Sequence, residues 1–187
     1  MDADQVIRQL QQGNRRFIRG ERLARDLVLR RAELLAGQSP LATVVCCSDS
    51  RVVPEIIFDA NLGDIFTIES AGNVLDEVGL GSVEYGVGHL GTPVLMLLGH
   101  TRCGAVTACC HPGSATGGRL SAVLRRIEPA AAKHAGDVES AVEENVRLVR
   151  DYVLVESEVV RGLAGSGRVR IVLATYRMES GEVCFRS

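Results

Sequence analysis

Four short apolar runs, at residues 41–47, 65–68, 93–98 and 169–174, interrupt this 187-residue chain with no polar alternation inside them. Runs of that length and character suit strands buried on both faces, the mark of a parallel sheet. Between them lie stretches of helical period, at 78–90, 120–134 and 138–163, the last with Val142, Val146, Val149, Val153 and Val160 along one side. Alternating strands and helices predict an α/β fold: a mostly parallel β-sheet flanked by helices on both faces. Two helices are predicted upstream. One covers 3–18, with Val6, Ile7, Leu10, Phe17 and Ile18 on its apolar side and Asp2 or Asp4 as cap; the other covers 21–35 and is stopped by Gly37 and Ser39-Pro40. The reading is one domain, with an N-terminal helical arm at 1–37 and an α/β core at 38–187. It closes on a C-terminal hairpin strand over 176–185, with Ser180-Gly181 at its turn.

A chain of this length buries a core without help from disulfides. No apolar run approaches the ~20 residues that span a bilayer, and the opening Met-Asp-Ala-Asp-Gln is acidic with no apolar stretch behind it. No membrane and no secretory signal are therefore expected, and the predicted location is cytoplasmic. In a reducing compartment the six cysteines are ligands, catalytic groups or small buried side chains rather than disulfide partners. Cys46, Cys109, Cys110 and Cys184 read as packing residues. A net charge of −2 argues against nucleic acid. The arginines between Arg8 and Arg31 are interleaved with Glu21 and Asp26, which suits a solvated face or one packed on another subunit.

Chemistry in parallel sheets gathers beyond the carboxyl ends of the strands. The first run leads into Cys47-Ser48-Asp49-Ser50-Arg51 and the third into His100-Thr101-Arg102-Cys103-Gly104. If the strands are parallel, both clusters share one edge. Two thiolates and an imidazole from Cys47, Cys103 and His100 suit Zn²⁺, and three protein ligands leave a fourth position for solvent, as in catalytic sites. Cys46 should point to the other side of its strand. Two thiolates cancel the charge of the dication, so it acidifies water less than a three-histidine site, where bound water reaches a pKa of ~7. Asp49 is placed to accept a proton or hydrogen bond from that water, or to become a fourth ligand and close the site. Arg51 is placed to hold the carboxylate in a bidentate pair.

Cys47-x-Asp49-x-Arg51 with His100-x-x-Cys103 resembles the signature of the β-carbonic anhydrases. The likeness extends through Gly13-Asn14-x-Arg16-Phe17, Pro54-Glu55, Ala71-Gly72-Asn73, Ser82-Val83-Glu84-Tyr85, Gly104-Ala105-Val106 and Gly181-Glu182-Val183. It implies reversible, zinc-dependent hydration of CO₂ to bicarbonate and a proton by a zinc-bound hydroxide. It also implies substrate-pocket roles: Gln38 to hold substrate or bicarbonate, Tyr85 and Phe66 to line the pocket, and the Gly104 backbone amide to meet the anion. Family active sites lie at a dimer interface, so a homodimer or dimer-based oligomer is implied, with Gln38, Phe66 and Tyr85 serving the neighbouring subunit. One position departs from the pattern. Glu69 stands where the family usually has an arginine that helps hold inhibitory bicarbonate, so inhibition through that pocket is not expected, and an open site is expected over a closed one.

Gly86-x-Gly88-x-x-Gly91 matches a dinucleotide fingerprint in letters only, because it precedes a strand from within a helical stretch; close packing explains it better. His89, His111 and His134 lack partners at ligand spacing, and His111-Pro112 is at most a proton shuttle at a channel mouth. The rival readings are hydrolysis of carbonyl sulfide or carbon disulfide at the same zinc, a metal-free thiol or redox protein using Cys47 and Cys103, and an inactive metal-binding homologue.

Overall fold

A computed structural model describes residues 1–111 and 118–186 of the chain. Its described residues build one five-stranded sheet from β1 (Ala42–Cys47), β2 (Ile65–Ser70), β3 (Val94–His100), β4 (Arg170–Tyr176) and β5 (Val183–Arg186). The order is β2-β1-β3-β4-β5. The first four strands are parallel, and β5 runs antiparallel to β4, which completes the expected terminal hairpin. The mostly parallel sheet, covered on both faces, is the architecture that the apolar runs imply. β1 and β3 are buried along their whole length, which is why neither shows polar alternation.

One face carries Val44, Cys46, Met96, Leu98, Val172 and Ala174 against helix α1 (Ala3–Arg19) and the single turn α3 (Pro54–Ile57). The other carries Val45, Leu95 and Leu97 against α4 (Glu77–Glu84), α7 (Val138–Glu156) and α8 (Glu158–Gly165). A third cluster, at the carboxyl end of the sheet, packs Cys47 and Cys103 with Val106 of α5 (Gly104–Cys110), Ile127 of α6 (Leu120–Lys133) and Val142 of α7.

Several elements depart from the sequence expectation for identifiable reasons. The helix expected over 21–35 is only α2 (Leu27–Glu33), running on as a 3₁₀ turn at Leu34–Ala36. The Asp26 carboxylate accepts from the Val28 and Leu29 N–H groups and starts the helix there, while the residues before it are drawn down to Asp59. The stretch expected at 78–90 is α4 followed by a π-helical turn, Tyr85–His89. Close approach explains Gly86, since a Cβ there would lie 2.3 Å from Thr43 Oγ1. The long helix expected over 138–163 breaks at Ser157. That hydroxyl is fully buried, donates to Glu84 Oε1 at 2.6 Å and accepts from the Val160 N–H, which restarts the chain as α8. The short helices α3 and α5 were not anticipated, being too short to show a period.

The Gly13-Asn14-x-Arg16 segment of α1 is a structural fastener. Asn14 is buried, donates to the Ile57 and Gly181 carbonyls and accepts from the Val183 N–H, tying α1 to α3 and to β5. A Cβ on Gly13 would fall 1.7 Å from the Phe58 carbonyl oxygen, so only glycine lets the helix approach this closely. Just beyond α3 the Asp59 side chain is fully buried and paired to Arg16 and Arg25, each at 2.6 Å, with the Leu23 N–H also donating. Burial alone would raise the Asp59 pKa, but hydrogen bonds from Arg25 and Arg16 pull it down to about 2.

This carboxylate is depressed from an ordinary 3.8, so its stabilisation is present above that value and is lost as pH falls towards about 2. Asp59→Asn is expected to lower unfolding stability by about 3 kcal/mol near neutrality, because it strands two arginines. It should also flatten the wild-type loss of stability across that acid window, as read by urea titrations at stepped pH.

Candidate metal centre

β1 and β3 are adjacent and parallel, in a register that pairs Val45 with Leu97 and Cys46 with Leu98. Their carboxyl ends therefore emerge side by side. Cys47 ends β1, His100 ends β3, and Cys103 is the residue from which α5 starts. One donor atom from each lies within 4.8 Å of the other two, and all three residues are buried. Cys46, next to Cys47, is fully buried in the opposite core, as strand alternation requires. Burial, then the Glu69 charge, pushes its thiol pKa well up.

The ring of His100 is fixed by its neighbour. Its Nδ1 lies 2.9 Å from the Thr101 carbonyl, an acceptor, so Nδ1 carries the proton. Nε2 is buried with no hydrogen-bond partner. A lone pair left unpartnered in the interior beside two thiols is what a metal ligand needs, and the donor set suits a soft or borderline divalent ion. The residues fit Zn²⁺. The two sulfurs act on one another. A hydrogen bond from Cys103 draws the Cys47 thiol pKa down, and the Cys47 sulfur, with burial, holds the proton on Cys103.

Around this trio the backbone is held firmly. The Gly72 N–H donates to Cys47 Sγ at 3.2 Å. Gly72 has φ +69°, and a Cβ there would sit 2.6 Å from Ile127 Cδ1, so the Ala71-Gly72-Asn73 turn accepts only glycine at its centre. On the other side the Thr101 hydroxyl donates to Glu179 Oε2, and the Arg102 guanidinium reaches Glu179 Oε1 at 2.6 Å. Arg102 itself adopts φ +57°.

Asp49 and Arg51 form the bidentate pair that their spacing suggested. Arg51 Nε meets Oδ1 at 2.8 Å and Nη2 meets Oδ2 at 2.7 Å, and the Arg51 N–H adds a third bond to Oδ1. That pairing holds the Asp49 pKa down at about 2. The carboxylate stays outside the Cys–His–Cys group. Gly104 opens α5 with its Cα face clear, since nothing lies within 4 Å of where a Cβ would be.

The other residues expected to line a substrate pocket lie elsewhere. Phe66 sits at the amino end of β2, opposite Thr43, whereas Cys47 is opposite Ser70; four residues of strand put about 13 Å between those ends. Tyr85 packs on Phe66 at 5.8 Å between ring centres, with His89 stacked on its other side at 4.7 Å. Gln38 is exposed just ahead of β1. The chain thus brings Cys47, His100, Cys103, Asp49, Arg51 and Gly104 to one edge and leaves Gln38, Phe66 and Tyr85 at the other. Glu69 lies on β2 opposite Cys46 and is exposed. His111 is exposed, and Pro112 lies outside the described residues.

A family model described as carbonic anhydrase matches residues 42–183 of the chain. The chain belongs to the carbonic anhydrase family, in its β class. The general reaction of this family is CO₂ hydration. Carbonic anhydrase 2 of Mycobacterium tuberculosis is 39% identical over 186 residues, covering 95% of this chain and 89% of that protein. The carbonic anhydrase of Mycolicibacterium smegmatis is 37% identical and covers 95% and 90%. In structure, the β-carbonic anhydrase CcaA aligns with a TM-score of 0.77 at 24% identity, over 97% of this chain and 87% of that one. Sequence reading missed the Gly72 and Glu179 supports. Both act through backbone or through a distant hairpin, and the only sign of either was the Ala-Gly-Asn string.

Removing the guanidinium should free the carboxylate: Arg51→Ala is expected to raise the Asp49 pKa from about 2 towards the ordinary 3.8. Carboxyl ¹³C NMR titration of the two proteins reads this directly.

Proposed function

We propose that this carbonic anhydrase family member catalyses CO₂ + H₂O ⇌ HCO₃⁻ + H⁺ with Zn²⁺ held by Cys47, His100 and Cys103. The observation that carries the reading is the buried, unpartnered His100 Nε2 converging with two buried thiols beside an Asp–Arg pair. When bound, the zinc supplies Lewis acidity, which makes water a usable nucleophile near neutral pH. The chain's own groups do the rest. Asp49, with a pKa of about 2, is ionised throughout the neutral range and is too weak a base to retain a proton there. Its role is therefore orientation: Oδ1 accepts from both the Nε and the backbone N–H of Arg51, while Oδ2 accepts from Nη2 and keeps a lone pair for a hydrogen bond from the attacking water. Arg51 fixes the direction of that acceptor. The Gly104 N–H is the donor for the anionic product, and glycine keeps its approach clear.

We further propose that the working unit is a homodimer or a larger assembly of dimers. Gln38, Phe66 and Tyr85 lie together at the amino end of β1 and β2, too far to line their own chain's centre, so the reading gives them to the neighbouring subunit's site. Leu27, Val28, Leu29, Leu35, Ile56 and Leu62 all lie on or beside α2 and α3 and are exposed, more apolar surface than a monomer ordinarily leaves open. Two Sordaria macrospora β-carbonic anhydrases of the same fold are tetrameric (TM-score 0.76, 22% identity, covering 84% of this chain and 87% of that one). A cytoplasmic setting suits six cysteines that are all free.

The wild-type protein is expected to carry one zinc per chain and to hydrate CO₂ in a stopped-flow indicator assay. Cys47→Ser should lose metal and activity together, and Asp49→Ala should keep metal while losing about 10²-fold or more in kcat/KM. Activity no better than that of Cys47→Ser would end the enzyme reading, and metal-free wild-type protein would leave a thiol protein instead. For the assembly, light scattering should return a dimer or a multiple of it. Leu27→Glu combined with Val28→Glu is expected to yield a monomer that binds zinc but turns over poorly.

A further inference from the structure

Asn145 of α7 is a polar residue in an apolar place. It is 1% exposed, on a helix whose other buried positions are Ala141, Val142, Val146, Val149 and Val153, together with Glu144, which unlike Asn145 is fully paired, to Lys133 and Arg147. Its Nδ2 donates to the Gly72 carbonyl at 2.8 Å, while its Oδ1 is buried with no partner. A half-satisfied buried amide costs about 1–3 kcal/mol that a leucine would avoid, so packing does not explain its presence. The one bond it makes does. Gly72 N–H is the donor to Cys47 Sγ, and Gly72 O is the acceptor from Asn145. Glycine has no side chain to restrict φ and ψ, and this one sits in the left-handed region. Held at both ends, its two dihedrals are set, and the N–H stays aimed at sulfur.

We propose that Asn145 is a positioning residue for the metal centre, acting through Gly72 on the Cys47 sulfur. The proposal rests on the reading of Cys47, His100 and Cys103 as the metal site. An N–H···S hydrogen bond withdraws electron density from a thiolate, so the sulfur donates less to a metal. That correction matters most in a centre with two thiolates, where strong donation opposes the acidification of water. Asn145 is thus an outer support that both fixes the ligand's direction and moderates its charge, through the Gly72 backbone rather than by bonding the sulfur itself.

The test uses the full chain loaded with Co²⁺, whose sulfur-to-metal charge-transfer band reports thiolate donation, together with Zn²⁺ affinity by chelator competition. Asn145→Leu removes the bond and the orphaned oxygen together. Its band should move to longer wavelength and its Zn²⁺ affinity should fall by about 10–100-fold, with thermal stability held or raised. Val149→Ala, one turn further along the same helix, serves as the control for destabilisation alone and should lower the melting temperature with neither change. Both changes in Asn145→Leu and neither in Val149→Ala support the proposal. Any other combination overturns it, including both changes appearing in Val149→Ala. Wild-type protein that shows no sulfur-to-cobalt band at all would instead bring down the metal-site reading, so the two failures are distinguishable.

Discussion

The parallel pairing of β1 with β3 is the contact on which the rest of this molecule depends. The two strands are separated in sequence by β2 and α4, yet their register sets Cys46 beside Leu98 and so delivers Cys47 and His100 to the same edge within a residue or two of one another. A slip of one position would turn Cys47 into the core occupied by Cys46 and bring Cys46 to the edge. Nothing local prevents that slip. It is opposed by the continuous burial of Val44 and Val45 on opposite faces, each fitted to a different helical layer. The chemistry of the edge is therefore specified by apolar side chains far from it.

The charges at that edge are arranged around a shortage of positive potential. Two sulfurs and the Asp49 carboxylate gather where one nearby cation, Arg51, is half-exposed and paired to Asp49, and another, Arg102, is paired to Glu179. The backbone offsets this: the Gly72 N–H donates to Cys47, and the amides at Val106 and Ala105 act to lower the Cys103 pKa. Such donors stay in place whatever the pH, and they are aimed by turns that carry positive φ at Gly72 and Arg102. The unusual backbone on both sides of the site is the means by which N–H groups and the His100 ring are pointed inward.

Much of this was legible in the sequence. The four apolar runs located the first four strands, and two short strings at strand ends named the converging Cys–His–Cys trio and the Asp49–Arg51 pair. Length and period sufficed because buried parallel strands tolerate few alternatives. Boundaries failed where a single polar side chain overrode the period. Ser157 ended a helix whose valine spacing continued past it, and Asp26 delayed one whose composition began at Glu21. The supports of the site were not legible for a related reason. Asn145 acts across 73 residues of sequence on a backbone carbonyl, and Glu179 across 78 on a threonine and 77 on an arginine, and no spacing rule connects such pairs. Arg16 and Arg25 looked like part of a solvated basic face, whereas they converge on one buried carboxylate.

Where Gln38, Phe66 and Tyr85 lie has a consequence for how this fold can work. A parallel sheet has two ends, and the loops that follow its strands gather at only one of them. Cys47, His100, Cys103, Asp49 and Gly104 end or follow strands and so share that end, while Gln38 precedes β1 and Phe66 lies at the start of β2. No movement of a loop within one chain joins the two groups, because β1 and β2 are rigid and paired along their length. Under the proposed assembly, a second copy related by a twofold axis would join them without any movement, each copy offering its amino-end residues to the other's carboxyl end. The apolar wall and the Cys–His–Cys group would then be built by different chains, and dissociation would open the site to water before any of the three was lost.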